Sequence, residues 1–229
     1  MQTSDMMIYA FCYAMVFVLA WISRINNSER LFTDEGELTS KPGSLTGIHL
    51  IGIACLGLVP VILLKLSAAH VLFGNTTPRL PDVLTFSILL LLVIAIAFKQ
   101  SEQVTRSGKS PGEIFQQLSS SFFTRYFIIR SLFLFVYELW FRGFLLSESI
   151  SWLGIPAAVS LNVFLYTLLH IFKSKKEILV CIPFGLIVCL LCLFFNGAWP
   201  AVIIHIGFSF VYEFNIYQTY LNTSKTVRS

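Results

Sequence analysis

The sequence predicts an all-α fold, a polytopic integral membrane bundle of about seven transmembrane helices. Three observations predict it. Hydrophobic residues make up 56% of the 229 residues and charged residues only 12%, about half the charged share of a soluble domain. The apolar residues fall in blocks near the ~20 residues that cross a hydrocarbon layer of ~30 Å, with short polar patches between them. The cations also segregate to one set of those patches. Lipid offers no partner to a backbone N–H or C=O, so the blocks must fold as helices.

The predicted spans cover residues 7–22, 48–64, 83–98, 123–146, 152–172, 178–195 and 199–213. The first is not read as a signal peptide, because no Lys or Arg precedes it and Arg24 follows it. With seven spans, Arg24, Arg30, Lys41, Lys99, Arg106, Lys109, Lys173, Lys175, Lys176, Lys225 and Arg228 share one side of the membrane. Only Lys65 and Arg79 lie on the other, while Arg125, Arg130 and Arg142 fall within the fourth span. Positive-inside asymmetry then predicts a multi-pass cell-membrane protein with the N-terminus outside and the C-terminus cytoplasmic. The net charge of +4 reads as topology, and no basic face for nucleic acid is present.

Between the spans, residues 23–47 are charged and rich in Ser and Gly, and are expected to form a mobile cytoplasmic loop. Residues 99–121 begin in the same way and become amphipathic at "GEIFQQL", a piece suited to the membrane surface or to a linker. No internal repeat is visible, which weighs against an inverted-repeat transporter. Residues 1–229 therefore read as one membrane domain, with N-terminal spans and loops over 1–119 and the chemistry over 120–215. Pro156 should open or kink the fifth helix, and Pro183 with Gly185 should bend the sixth. Asn196-Gly197 should turn the chain into an antiparallel seventh helix that has Pro200 in its first turn. The five cysteines all fall in spans and read as small apolar fillers, Cys189 and Cys192 included.

Against this apolar background a few polar residues stand out. A charge at the centre of a span costs roughly 2.5–3.5 kcal/mol, so it must face the protein interior and find partners. Glu138 and Arg142 are spaced i, i+4 and can pair. Asn162, Tyr166 and His170 recur every four residues on the fifth helix, and His205 and Ser209 share a face of the seventh. An acid beside an imidazole is what general-base activation of water requires. A second imidazole and a hydroxyl can donate to a developing oxyanion. His49 and His70 lack such company and read as structural.

These residues resemble the CPBP (CAAX prenyl protease and bacteriocin-processing, or Abi) intramembrane glutamic proteases. That family carries E-E-x-x-x-R before Gly, then F-x-x-x-H, then H-x-x-x-N or H in a later helix. The matching stretches here are "YELWFRG" at 137–143, "YTLLH" at 166–170 and "HIGFS" at 205–209, in the same order. The resemblance implies an endopeptidase in which Glu138 and His170 activate water while His205 stabilises the oxyanion. Arg142 supports the acid, and Asn162 and Tyr166 line the site. Two positions depart from the pattern. Tyr137 stands where the family has its first Glu, the one usually credited as the base, so Glu138, which matches the second, is taken as the base here. Ser209 stands where the family has Asn.

The substrate so implied is a peptide or membrane protein presented in lipid, and no cofactor is expected. One alternative is a zinc ion on Glu138, His170 and His205 with water in the fourth position. A second is a catalytically inactive scaffold or immunity-type binding protein of the same fold. A transporter or channel is the third, and would show a polar path through the bundle.

Overall fold

The computed structural model describes residues 3–28, 30–33, 36–64, 68–74, 78–106, 115 and 118–226. Ten α-helices follow one another among them: α1 (Thr3–Ile25), α2 (Pro42–Ile53), α3 (Val59–Leu64), α4 (Ala68–Phe73), α5 (Leu80–Arg106), α6 (Ser120–Glu138), α7 (Leu146–Leu153), α8 (Ile155–Leu168), α9 (Lys175–Phe194) and α10 (Trp199–Thr226). Two π-helical stretches join neighbours without a break, Ala54–Leu58 between α2 and α3 and Leu139–Leu145 between α6 and α7. No strand occurs among the described residues, only the isolated bridge Phe32–Leu38.

Each predicted span coincides with a helical segment, so the protein is an all-helical membrane bundle. Four segments are long and apolar enough to cross a membrane by length and composition: Asp5–Ile25, Pro42–Leu64, Leu80–Arg106 and Glu177–Phe194. The other three, α6 to α7, α8 with the turn that follows it, and α10, carry Glu138, Arg142, Asn162, Tyr166, His170, His205 and Ser209. The fifth predicted span is also shorter than expected. Its helix, α8, ends at Leu168, and His170 lies in the turn beyond it.

Local chemistry explains the helix ends. Ser119 caps α6 by accepting from the Phe122 amide, and Ser174 with Glu177 forms a reciprocal capping box on α9. Gly154, at φ +75°, separates α7 from α8, and Pro156 occupies the first turn of α8 as expected. Asn196, at φ +51°, and Gly197 form the turn between α9 and α10. Pro183 stands inside α9, which continues through it.

The turn at 196–197 is locked from outside by α4. Ala198 donates its amide to the Val71 carbonyl at 3.1 Å. The backbone of Gly74, at φ +63°, lies against Asn196 so closely that a Cβ would overlap the Asn196 carbonyl. This contact anchors the start of α10, the helix that carries His205. Along its length α10 packs on α5 and α6, while α2 packs on α6 and α8 on both α7 and α9.

The loop between α1 and α2 departs from expectation. It is packed, not loose: Ser28, Leu31, Phe32 and Thr39 are all buried. Leu31 and Phe32 join an aromatic core with Phe123, Tyr126, Tyr217 and Tyr220 from α6 and α10. Arg30 forms a salt bridge to Glu177 at the start of α9. Burial of two large apolar side chains outweighs the loop-forming composition that surrounds them. The amphipathic piece at 112–118 lies outside the described residues apart from Leu118 and Phe115, the latter buried in that same core.

Replacing Gly74 by Ala should lower stability by about 1–3 kcal/mol, since the side chain meets both a left-handed backbone and a neighbouring carbonyl. Unfolding in mixed micelles checks this, and an unchanged midpoint would show that the α4 contact does not anchor α10.

Candidate active site

Glu138 ends α6, and its side chain is wholly buried. The residues that follow it widen into the π-helical stretch Leu139–Leu145, every one of them buried. A π-turn frees backbone carbonyls from their usual partners, and such turns recur at functional sites. Asn162 of α8 meets this need: its Nδ2 donates to the Phe141 carbonyl at 2.6 Å, and its Oδ1 accepts from the Cys189 thiol at 3.4 Å. Asn162 is therefore a support behind the site, and Cys189 has a polar partner that its apolar surroundings in sequence did not suggest.

Two cationic or ionisable groups flank the Glu138 carboxylate. His205 Nδ1 on α10 lies 2.5 Å from Oε1, a short charge-assisted hydrogen bond. Arg142 Nε lies 3.6 Å from Oε2, an ion pair too long for a hydrogen bond. Its guanidinium, also wholly buried, sits 4.4 Å from the centre of the Tyr166 ring and 5.5 Å from that of Phe141. Aromatic faces thus take the place of oxygen acceptors around this cation. Gly185 permits the approach of α9: a Cβ there would stand 3.2 Å from Tyr166 and 3.6 Å from Arg142 Nη2.

His170 completes the group from the turn after α8. Its Nδ1 donates to the Tyr166 carbonyl at 2.9 Å. A carbonyl can only accept, so the ring proton is on Nδ1 and the Nε2 lone pair is left open. The His170 ring lies 4.8 Å from Tyr166, which is edge-on to Tyr137 at 6.2 Å, which in turn is edge-on to His205 at 6.0 Å.

Seven of the eight residues singled out in the sequence are thus brought together: Glu138, Arg142, His205, His170, Tyr166, Tyr137 and Asn162. Tyr137 contributes an aromatic wall and no carboxylate. Ser209 is placed differently. Its hydroxyl accepts from Arg130 Nε at 3.4 Å, and no hydrogen bond ties it to Glu138 or His205. The hydroxyl expected as a donor to an oxyanion is thus engaged, as an acceptor, in a neighbouring cluster one turn along α10. Glu213, a further turn along, is buried and accepts from Tyr126 at 2.9 Å. Its i, i+4 spacing from Ser209 was the signal for it in the sequence. Among the described residues, no three His, Cys, Asp or Glu side chains are grouped to hold a metal ion.

Residues 119–211 match the family model described as type II CAAX prenyl endopeptidase, Rce1-like. The match begins at the cap of α6, ends within α10 and contains the whole Glu138 site. It agrees with the family that the three motifs resemble. No curated protein and no solved structure matches this chain. The stretch from the cap of α6 into α10 is thus similar to the Rce1-like, CAAX-protease family, within a helical membrane protein whose first 118 residues lie outside the matched region.

Removing the cation should expose how the buried acid is held. Arg142→Ala is expected to cost about 3–5 kcal/mol, because it strands an ion inside the bundle. Adding Glu138→Gln to Arg142→Met should recover much of that loss. Comparing single and double variants by denaturant unfolding in micelles tests this, and equal losses would mean that Arg142 acts by packing alone.

Proposed function

We propose that the protein is an intramembrane endopeptidase that hydrolyses a peptide bond with a water activated by Glu138. The observation that carries this reading is the Glu138–His205 hydrogen bond between α6 and α10, with a second histidine, His170, joined to it through the Tyr166 and Tyr137 rings. Oε1 is engaged by His205, whereas Oε2 has no hydrogen-bond partner. Oε2 is then the atom that takes the proton of a water placed between Glu138 and the open Nε2 of His170. Arg142 keeps the carboxylate ionised in the intervals between turnovers by balancing its charge.

As the tetrahedral intermediate forms, His205 is proposed to stabilise the oxyanion through Nε2–H, which requires the doubly protonated ring, Nδ1–H remaining on Glu138. Collapse of the intermediate needs a proton on the leaving amine, and Glu138 returns the one it took. No acyl-enzyme is formed and no metal is drawn on. The substrate is proposed as a peptide or membrane-protein segment reaching the site through lipid. The orientation that suits the cation distribution has the N-terminus outside and the C-terminus cytoplasmic.

One observation favours a second reading. Glu138 and Arg142 are both wholly buried and their cluster is closed by aromatic rings, as a structural ion pair in a non-catalytic scaffold would be. A single variant separates the two. Glu138→Gln keeps shape and hydrogen-bonding capacity but removes the base. With purified protein, a library of membrane-tethered peptides and mass spectrometry of new termini, the hydrolase reading expects cleavage to fall about 10²–10⁴-fold without loss of fold. Cleavage that survives the change would sink the reading. Wild-type protein that binds peptides yet releases no new termini would favour the scaffold.

A further inference from the structure

Beside the Glu138 site, and on the same two helices, lies a second polar cluster. Arg130 of α6 is its centre. Nε donates to Ser209 Oγ on α10 at 3.4 Å, and Nη1 donates to His49 Nε2 on α2 at 3.0 Å. A guanidinium can only donate, so His49 accepts on Nε2 and carries its proton on Nδ1. The His49 ring is buried and stacks on Phe133 at 4.8 Å. Gly52 and Gly57 let α2 come this close, since a Cβ at either would press on Phe133 or Val136 of α6. One side chain thus ties three helices together.

The pairings follow an order. Along α6 the residues hydrogen-bonded to α10 are Tyr126, Arg130 and Glu138; along α10, read backwards, their partners are Glu213, Ser209 and His205. The two helices therefore meet through an antiparallel series of polar contacts. Elsewhere α10 leans largely on apolar surface, as where Ile204 packs with Phe86 of α5. Its hydrogen bond to α5, from Asn215 Nδ2 to Ser101 Oγ at 2.8 Å, lies further along the helix from His205 than Ser209 does. Dispersion contacts of that kind are non-directional and leave rotation about the helix axis loosely determined. Hydrogen bonds are directional, and Ser209 stands one turn from His205 on the same face.

We infer that Arg130 is a positioning residue for the Glu138–His205 pair. By holding Ser209 it sets the height and rotation of α10, and so delivers His205 Nδ1 to Glu138 Oε1. Ser209 is then an anchor for the helix, in place of the oxyanion donor that its position in the motif suggests. As a role in turnover, the inference rests on the hydrolase reading of that pair; as a statement about geometry, it does not.

The test reads His205 directly. Protein labelled with ¹⁵N at histidine is compared in micelles by the Nδ1–H resonance of His205, which a short bond to a carboxylate carries far downfield. Arg130→Met and Ser209→Ala should each move this resonance upfield or broaden it away, and the double variant should add nothing further. Arg130→Lys should restore only part, since an ammonium cannot reproduce the fork that reaches both Ser209 and His49. In turnover, Arg130→Met should lower kcat about 10–100-fold with KM unchanged, the signature of a misplaced catalytic group.

A resonance indifferent to both Arg130→Met and Ser209→Ala overturns the inference. If Arg130→Met does not fold, Ser209→Ala decides alone, because it removes a single oxygen. The outcome is separable from the hydrolase reading. Should wild-type protein cleave nothing while the resonance still responds, that reading falls and the positioning role stands. Cleavage that depends on Glu138 with an indifferent resonance gives the reverse.

Discussion

A carboxylate with no solvent access, held in a chain built for lipid, is the constraint around which this protein is organised. Glu138 cannot be left alone in such a medium: an isolated charge would be neutralised or would pull the helix out of the bundle. Its two neighbours answer that demand in different ways. Arg142 supplies charge from the same helix at a distance too great for a hydrogen bond, and His205 supplies a short hydrogen bond from another helix. The first contact is local. The second is long-range, and it obliges α10 to dock on α6 in one register. Much of the remaining architecture serves that docking: α4 pins the turn before α10, and α2 brings His49 beneath Arg130.

The widened backbone after Glu138 is the second feature of consequence. Seven consecutive residues, Leu139–Leu145, adopt π-helical geometry, and their side chains are all buried. Such a stretch costs backbone hydrogen-bond quality and survives only where neighbours compensate. Asn162 compensates at Phe141, and the aromatic rings of Phe141 and Tyr166 enclose the Arg142 guanidinium. Asn162, Tyr166 and Gly185 thus act on the Glu138 carboxylate at one remove. They keep the cation in place beside the carboxylate.

Much of this was legible from residue type and spacing. Glu138 with Arg142 violates the apolar pattern so plainly that a functional or structural reason had to exist. The periodicities of Asn162, Tyr166 and His170, and of His205 and Ser209, announced which faces would be turned inward. Less legible was the end of α8: the four-residue spacing persists through His170, but the helix stops at Leu168, and His170 projects from a turn. The α1–α2 loop was misread because composition describes solubility, whereas Leu31 and Phe32 are placed by the aromatic core they enter. Ser209 and Arg130 were both visible, yet nothing in one dimension pairs residues 79 positions apart.

The sequence by itself determined the class of the fold, the helical segments and the inward polar faces, because hydropathy and period are properties of a chain segment alone. It also determined the Glu138–Arg142 pair, whose partners are neighbours on one helix. Only the tertiary structure decided which histidine bonds the acid, that Ser209 belongs to Arg130, and that Asn162 supports the widened backbone. Each of those is a contact between helices distant in sequence. Its geometry depends on how the helices rotate and slide against one another, and that is settled by packing and directional hydrogen bonds acting on the whole bundle.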